Sequence, residues 1–310
     1  MEKRIYRIEP ILEERVWGGQ KIREKFQYKT DLKNIAQVYH VIGIPNHLDN
    51  LVDTGEHLSE FYHNNHELFN CKSKDLPVRL VTACASGPLS IHLHPNDEYA
   101  LEHEGMRGKV EGGVEIEEKD EWYVARVGHT AKTKEEFIEL VEKKDFDRLL
   151  RKVTRKIGDF HHNPAGFLHG GTGDGQSIDV AWSTNGDVTY RLYDRDRNDS
   201  NRPLHIKEVI ENVNIPDPLP EDKQPEPYKK EGCLIYDYYS KPKEYVARRI
   251  KTDGLAKFED KKFMFILCGD GTGEINDESV KPGETIFIPA DYGELTIKGK
   301  MDLFILSYID

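Results

Sequence analysis

The sequence predicts a mainly β protein made of two related jelly-roll units, with a few helices inserted in or before the first. Three observations predict it. Short apolar runs broken by Gly, Pro, Asn and Asp recur along the chain, among them "LSIHLH", "DEWYVARV", "SIDVAW", "VTYRLY", "FMFILCG" and "ETIFIPA". Many short strands with turn signals between them indicate a sandwich or barrel. Helical periodicity is confined to three stretches. Finally, one phrase occurs twice: "IGDFHHNPAG" (157–166) and "PGETIFIPAD" (282–291) each read as a Gly-acid turn, a strand and a closing Pro-Ala.

Three stretches carry the helices. "HLSEFYHNNHELF" predicts one around Ser59 to Phe69. Thr133 to Val153 predicts a second: Thr133 caps, Glu136 completes a capping box, and Phe137, Leu140, Val141, Leu149 and Leu150 recur at helical spacing. "HIKEVIENV" (205–213) predicts a shorter third. The Pro-rich stretch Ile215 to Gly232 continues neither pattern and reads as a linker. The expected organisation is therefore 1–214, a linker at 215–232, and a second unit at 233–310.

With 310 residues, 37% hydrophobic and 32% charged, the chain can bury a proper core. A formal net charge of -12 argues against nucleic acid and anionic membranes as partners, though not against an anionic small molecule in a locally basic pocket. No apolar run is long enough to span a bilayer, and the N-terminus lacks the pattern of a signal peptide, so a cytoplasmic protein is expected. Cys71, Cys84, Cys233 and Cys268 form no C-x-x-C pair and are expected as free thiols.

The chemistry concentrates in "SGPLSIHLHPNDEYA" (86–100). Residues i and i+2 of a strand share a face, so His92 and His94 project together while Ile91 and Leu93 project oppositely. An isolated His-x-His is ordinarily a surface pair. Here the opposite face is apolar, "KDEWYVAR" offers carboxylates at the mouth of another strand, and His169 follows "NPAGF". Histidines and a carboxylate from neighbouring strands suit zinc, manganese or iron.

From about Ile8 to Ile215 these motifs resemble the type I mannose-6-phosphate isomerases (phosphomannose isomerases), in their short bacterial and archaeal branch. The landmarks are "ILEERVWGGQKI" (11–22), "PLSIHLHPNDEYA" (88–100), "KDEWYV" (119–124), "NPAGFLHGG" (163–171) and "DVTYRLYDRDR" (187–197). The resemblance implies two cupin-like jelly-roll barrels, the second metal-free. It implies one divalent metal per chain, zinc first, with manganese, iron, cobalt or nickel as alternatives. The metal ligands carried over are His92, His94, Glu121 and His169. His92 stands where the family has Gln. Glu121 follows from the family's K-x-E; alignment on the next Trp-Tyr would select Asp120 instead, and adjacent strand residues face opposite ways.

The same resemblance places Ser90, Lys119 and Arg191 at the substrate, with Asp179 at a position where the family has Glu. A family Lys falls on Val81, leaving Arg79 as a substitute cation. A Gln-Gln pair becomes Ala181-Trp182, and "G-E-x-W" becomes Ala36 to Tyr39. Trp17 is expected to wall the pocket. The implied catalytic residues are Arg191, Lys119 and Asp179; the implied substrate contacts are Ser90, Arg79 and Trp17. The implied reaction interconverts mannose 6-phosphate and fructose 6-phosphate, with Asp179, Lys119 or a metal-bound water as the base, in a monomer or homodimer whose partner is a sugar phosphate. The alternatives are a related cupin acting on another sugar or sugar phosphate, and a non-isomerase metal cupin, either a dioxygenase or a sugar-binding protein. The phosphate contacts argue against the dioxygenase.

Overall fold

Pleating explains most of the architecture of this chain. A computed structural model describes residues 3–87, 89–117, 120–170, 177–197 and 199–310. Among these, one antiparallel sheet has six strands, in the order Phe160–Asn163, Glu111–Glu117, Ser177–Thr184, Val78–Ala85, Ile35–Val41 and Ile11–Gly19. Along Ser177–Thr184, Ile178, Val180 and Trp182 point to one side, and Asp179, Ala181 and Ser183 point into a cleft. Val78–Ala85 alternates likewise, with Leu80 on the apolar side and Arg79, Val81 and Ala83 on the cleft side.

The apolar side packs on a second sheet. That sheet holds the long strands Val246–Phe258, Met264–Ile275 and Leu295–Ser307 together with Cys233–Ser240 and Thr285–Ile288. The core between the sheets contains Leu80, Phe160, Val180 and Trp182 from the first and Phe265, Phe287, Phe304 and Leu306 from the second. Trp182 is fully buried there, and its Nε1 donates to the Ile305 carbonyl at 3.0 Å. The alternate residues of the second sheet, including Ile266, Ile286, Ile288, Leu303 and Ile305, fill an apolar interior of their own. The repeated phrase is a repeated structure. Gly158 (φ 91°) and Gly283 (φ 84°) take left-handed turns before the strands Phe160–Asn163 and Thr285–Ile288, a conformation that favours glycine.

Opposite the cleft side of the first sheet lies a thinner layer. The hairpin Trp122–His129/Leu150–Lys156 pairs through Tyr123 with Arg155. Gly128 N–H donates to Leu168, His169 exchanges backbone hydrogen bonds with His92, and Ile91–Leu93 pairs with Tyr190–Tyr193. The cleft lies between these layers.

Three expectations are adjusted. The helix from Thr133 is capped as expected, Thr133 accepting from the Glu136 N–H, but it runs only from Lys134 to Glu142. Lys144 takes a left-handed turn (φ 54°), Phe146–Leu149 makes a short helix, and Leu150 begins a strand. The helix around Ser59 to Phe69 divides at Asn65 into Leu58–Asn64 and His66–Phe69. The second sheet also reaches across the suggested division at Ile215, because Tyr6–Glu9 pairs with Thr285–Ile288. The Pro-rich stretch is strapped to the first unit: Asp217 binds Arg151 at 2.9 Å, Asp222 binds Arg155 at 2.8 Å, and Lys223 bridges Phe160. Among the described residues no helix is long and apolar enough to cross a membrane.

Candidate active site

The cleft has a volume of about 360 Å³ and draws its lining from both layers. Its centre holds three imidazoles. His92 lies on Ile91–Leu93, His94 follows one pleat later, and His169 enters from the bridge after Pro-Ala-Gly. Ring centroids are 4.6 Å apart for His92 and His169, 5.1 Å for His94 and His169, and 5.4 Å for His92 and His94. One ring nitrogen from each falls within 4.8 Å of the other two.

Backbone carbonyls orient all three rings. Nδ1 of His92 lies 3.0 Å from Ser90 O, Nδ1 of His94 lies 2.7 Å from Val188 O, and Nδ1 of His169 lies 2.9 Å from Phe167 O. A carbonyl only accepts, so each Nδ1 carries the proton and each neutral ring presents a lone pair at Nε2. The Nε2 atoms of His94 and His169 are buried without hydrogen-bond partners among the described residues. Burial, with the other imidazoles and Lys109 nearby, pushes His94 down to about 4 and His92 well below the ordinary histidine value. His92 and His94 are therefore neutral at pH 7, as metal ligation requires.

A carboxylate meets them from the opposite sheet, and it is Glu111. Its Oε1 lies 2.9 Å from His169 Nε2 and its Oε2 lies 3.8 Å from His94 Nε2. Lys109 Nζ contacts the same carboxylate at 2.5 Å. Burial alone would raise Glu111, but Lys109 and the two imidazoles outweigh it and hold it well below the usual carboxylate range. The contact between Glu111 and His169 joins two acceptors when the ring is neutral, an arrangement relieved by a cation between them. Three converging imidazole nitrogens and one ionised carboxylate thus fit a divalent metal.

Glu121, the carboxylate expected from the sequence, is elsewhere. Its side chain is 64% exposed and pairs with Lys156 at 2.8 Å. Asp120 is also exposed, in the turn before Trp122. Lys119 lies outside the described residues. The reason for the misplacement is a second K-x-E: Lys109-Val110-Glu111 has the same spacing ten positions earlier. Glu111 sits on a strand whose side chains reach the cleft, whereas Glu121 sits at a hairpin end.

The other expected residues line the cleft, in different states. Ser90 is buried with Oγ 3.3 Å from His92 Nδ1. Arg191, paired by backbone register with His92, has no partner for its Nε among the described residues. Arg15 and Arg202 stand near it; Asp194, shared by Arg197 and Arg202 at 2.9 Å, and Glu13, on Arg15, offset only part of that charge, so this end of the cleft stays cationic. Arg79 is buried and already engaged: it donates to Asp187 Oδ1 at 2.6 Å and to Gly186 O at 3.0 Å and lies over Tyr39. That removes it as a free cation for a substrate. Trp17 is buried against Ala36, Ala85 and Leu89 at the cleft edge. Asp179 lies in the cleft floor with Oδ1 unpartnered among the described residues; burial and neighbouring Glu111 push it up to about 8.

The altered positions form the floor. Val81, Ala181 and Gly113 are cross-strand neighbours, with Ala83 one pleat along. A Cβ at Gly113 would meet Asp179 Oδ1 at 2.6 Å and His161 Cε1 at 3.0 Å, so glycine is what lets those two groups share the cleft. Lys109, Glu111, Tyr123, Arg155 and His161 all line the cleft and were not anticipated. The duplicated K-x-E was a readable signal for the first two; no local pattern marked the others.

Comparison with known proteins agrees with this geometry. A family model described as "Mannose-6-phosphate isomerase, cupin domain" matches residues 247–309. A probable mannose-6-phosphate isomerase of Bacillus subtilis is 32% identical over 96% of this chain and 97% of its own length. The mannose-6-phosphate isomerase of Streptococcus mutans is 36% identical over 67% of each chain. The crystal structure of the mannose 6-phosphate isomerase from Bacillus subtilis superposes with a TM-score of 0.88 at 26% identity, covering 97% of this chain and 99% of that one. A zinc-bound mannose 6-phosphate isomerase shares the fold, with a TM-score of 0.77 at 15% identity over 99% of this chain and 100% of that one. The cupin jelly rolls, the histidine cluster and these relatives agree, and the chain belongs to the mannose-6-phosphate isomerase family of isomerases.

Proposed function

We propose that the chain interconverts mannose 6-phosphate and fructose 6-phosphate, using one zinc ion held by His92, His94, His169 and Glu111. The observation that carries this reading is the convergence of three backbone-oriented Nε2 atoms and Glu111 in a cleft with a cationic end. The zinc-bound relative of the same fold supports the choice of metal. A divalent ion held there would supply a Lewis acid for the isomerisation.

The chain's own residues do the rest. Arg191 offers donors to the substrate phosphate beside Ser90, in geometry suited to bidentate contact. Asp179 lies in the floor with an unpartnered oxygen and carries the proton between C1 and C2. Lys109 takes the part expected of Lys119: it holds Glu111 by a charge-assisted bond and offers positive charge against the enediolate. Trp17 closes the edge against water.

A second reading changes only the substrate. In the floor, beside Gly113 and Ala83, Val81 and Ala181 are shorter than the Lys and Gln of the family pattern, which favours a different sugar phosphate. The test is a coupled assay of zinc- and manganese-loaded protein against a panel of hexose phosphates. Mannose 6-phosphate is expected to give the highest kcat/KM. A higher value for another hexose phosphate selects the second reading, and no turnover of any by protein of confirmed metal content refutes both.

A further inference from the structure

The cleft has a polar alcove that the metal and the cationic end leave unused. Arg155 is its centre. The guanidinium is buried, with its side chain 6% exposed, and lines the cleft. Its Nε donates to Asp222 at 2.8 Å, while Nη2 has no partner among the described residues. Asp222 Oδ1 shares that condition, and so do atoms of the cleft lining, among them Tyr123 OH, His161 Nδ1, Asp179 Oδ1 and Asn163 Oδ1. Tyr123 is the cross-strand partner of Arg155, and both His161 and Asp179 feel its charge. Buried polar atoms in native proteins are ordinarily paired, so a group of unpaired ones facing one cavity points to a ligand.

We propose that Arg155 is a specificity-determining residue that donates through Nη2 to an uncharged hydroxyl of the substrate, at the edge of the cleft away from Arg191. The inference rests on the sugar-phosphate reading above. Charge decides which part of the substrate it takes. Asp222 neutralises Arg155, and Glu115 stands nearby, so no net positive charge remains for a phosphate. The cationic end is elsewhere. Arg155 and Arg191 lie on the two outer strands of the thin layer, separated by Trp122–His129, the Leu168–His169 bridge and Ile91–Leu93. Four steps of about 4.8 Å put their backbones roughly 19 Å apart, with the histidines between.

Asp222 belongs to the Pro-rich stretch, which gives that stretch a task beyond connection. It positions Arg155 by fixing Nε, and the second hydrogen of Nη2 lies on the edge of the guanidinium away from Asp222. Asp217 anchors the same stretch to Arg151, four residues before Arg155 and on the same face.

The experiment is calorimetric titration of the zinc-loaded full chain with two probes, glucitol 6-phosphate and inorganic phosphate. In Arg155→Met the Kd for glucitol 6-phosphate is expected to rise about 10- to 100-fold, the loss of a charge-assisted hydrogen bond, while that for inorganic phosphate stays unchanged. Because Arg155→Met leaves Asp222 buried without its partner, the double variant Arg155→Met/Asp222→Asn is measured alongside, with the same expectation. Equal weakening of both probes would make Arg155 an anion contact and overturn the proposal. Unchanged affinity for both, or a parent chain that does not bind glucitol 6-phosphate, would also overturn it. A parent chain that binds glucitol 6-phosphate with this Arg155 dependence but isomerises no hexose phosphate keeps the inference and sinks the isomerase reading instead.

Discussion

Substituting Glu111→Gln separates the two K-x-E motifs by function. Glu111 and Lys109 form a close pair whose side chains are only 15% and 11% exposed. Removing one charge from such a buried pair costs about 3–5 kcal/mol, because the other charge stays behind. Gln keeps the shape and one acceptor for Lys109, so the metal-free variant is expected toward the lower figure, about 3 kcal/mol less stable. The metal side is larger. Losing an outer-shell partner of a ligand already costs about 10- to 100-fold in affinity, so losing the carboxylate itself should exceed about 100-fold. The assay is urea denaturation of metal-free protein, with zinc affinity by competition against a chelator. Adding Lys109→Met to Glu111→Gln should recover stability but not zinc affinity. Glu121→Gln, at an exposed pair with Lys156, should change neither. Zinc loss in Glu121→Gln with retention in Glu111→Gln would refute the assignment.

Other outcomes follow from the same structure. His40 is fully buried between Thr82 and Thr285, and burial lowers it to about 3. An unfolded histidine near 6.5 binds the proton first, so this contribution falls as pH drops from 6.5 toward 3. Between pH 6.5 and 4.5 the loss is about 2 kcal/mol, and His40→Gln should flatten that part of the stability profile measured in urea. Gly113→Ala drives a methyl against Asp179 and His161, at about 1–3 kcal/mol in stability, and should lower kcat more than Ala181→Gly does. Trp182→Ala should cost about 3–5 kcal/mol in urea denaturation, yet leave KM unchanged in the folded fraction, because Trp182 faces the core between the sheets. Arg191→Met should weaken inorganic phosphate binding in calorimetry, in contrast to Arg155→Met.

The His-x-His motif shows how far local pattern reaches. Period-two alternation in "SIHLHP" places Ser90, His92 and His94 toward one space, and the structure puts all three in the cleft lining. The repeated Gly-acid-strand-Pro-Ala phrase likewise marks two equivalent strands, because a left-handed glycine turn is a local requirement. Alternation also separates Ala181 from Trp182, although nothing in the pair itself says which faces the cleft; the second sheet decides that by burying the indole. Helix ends were less legible. The periodicity of Thr133 to Val153 continues through residues that the partner strand Trp122–His129 recruits into a hairpin.

What the sequence by itself determined was the mainly β pattern, the paired imidazoles and the presence of a K-x-E motif, all set by spacing within a few residues. Only the tertiary structure brings Glu111, and not Glu121, against the histidines, since the two motifs are locally equivalent and differ in which strand faces the cleft. Only it tied Asp222 to Arg155, across 67 positions of sequence. Only it showed that Arg79 is held by Asp187, 108 positions away, and is not a free cation. Contacts of that range depend on how sheets stack and where a linker is pinned. The period of a single strand carries no record of either.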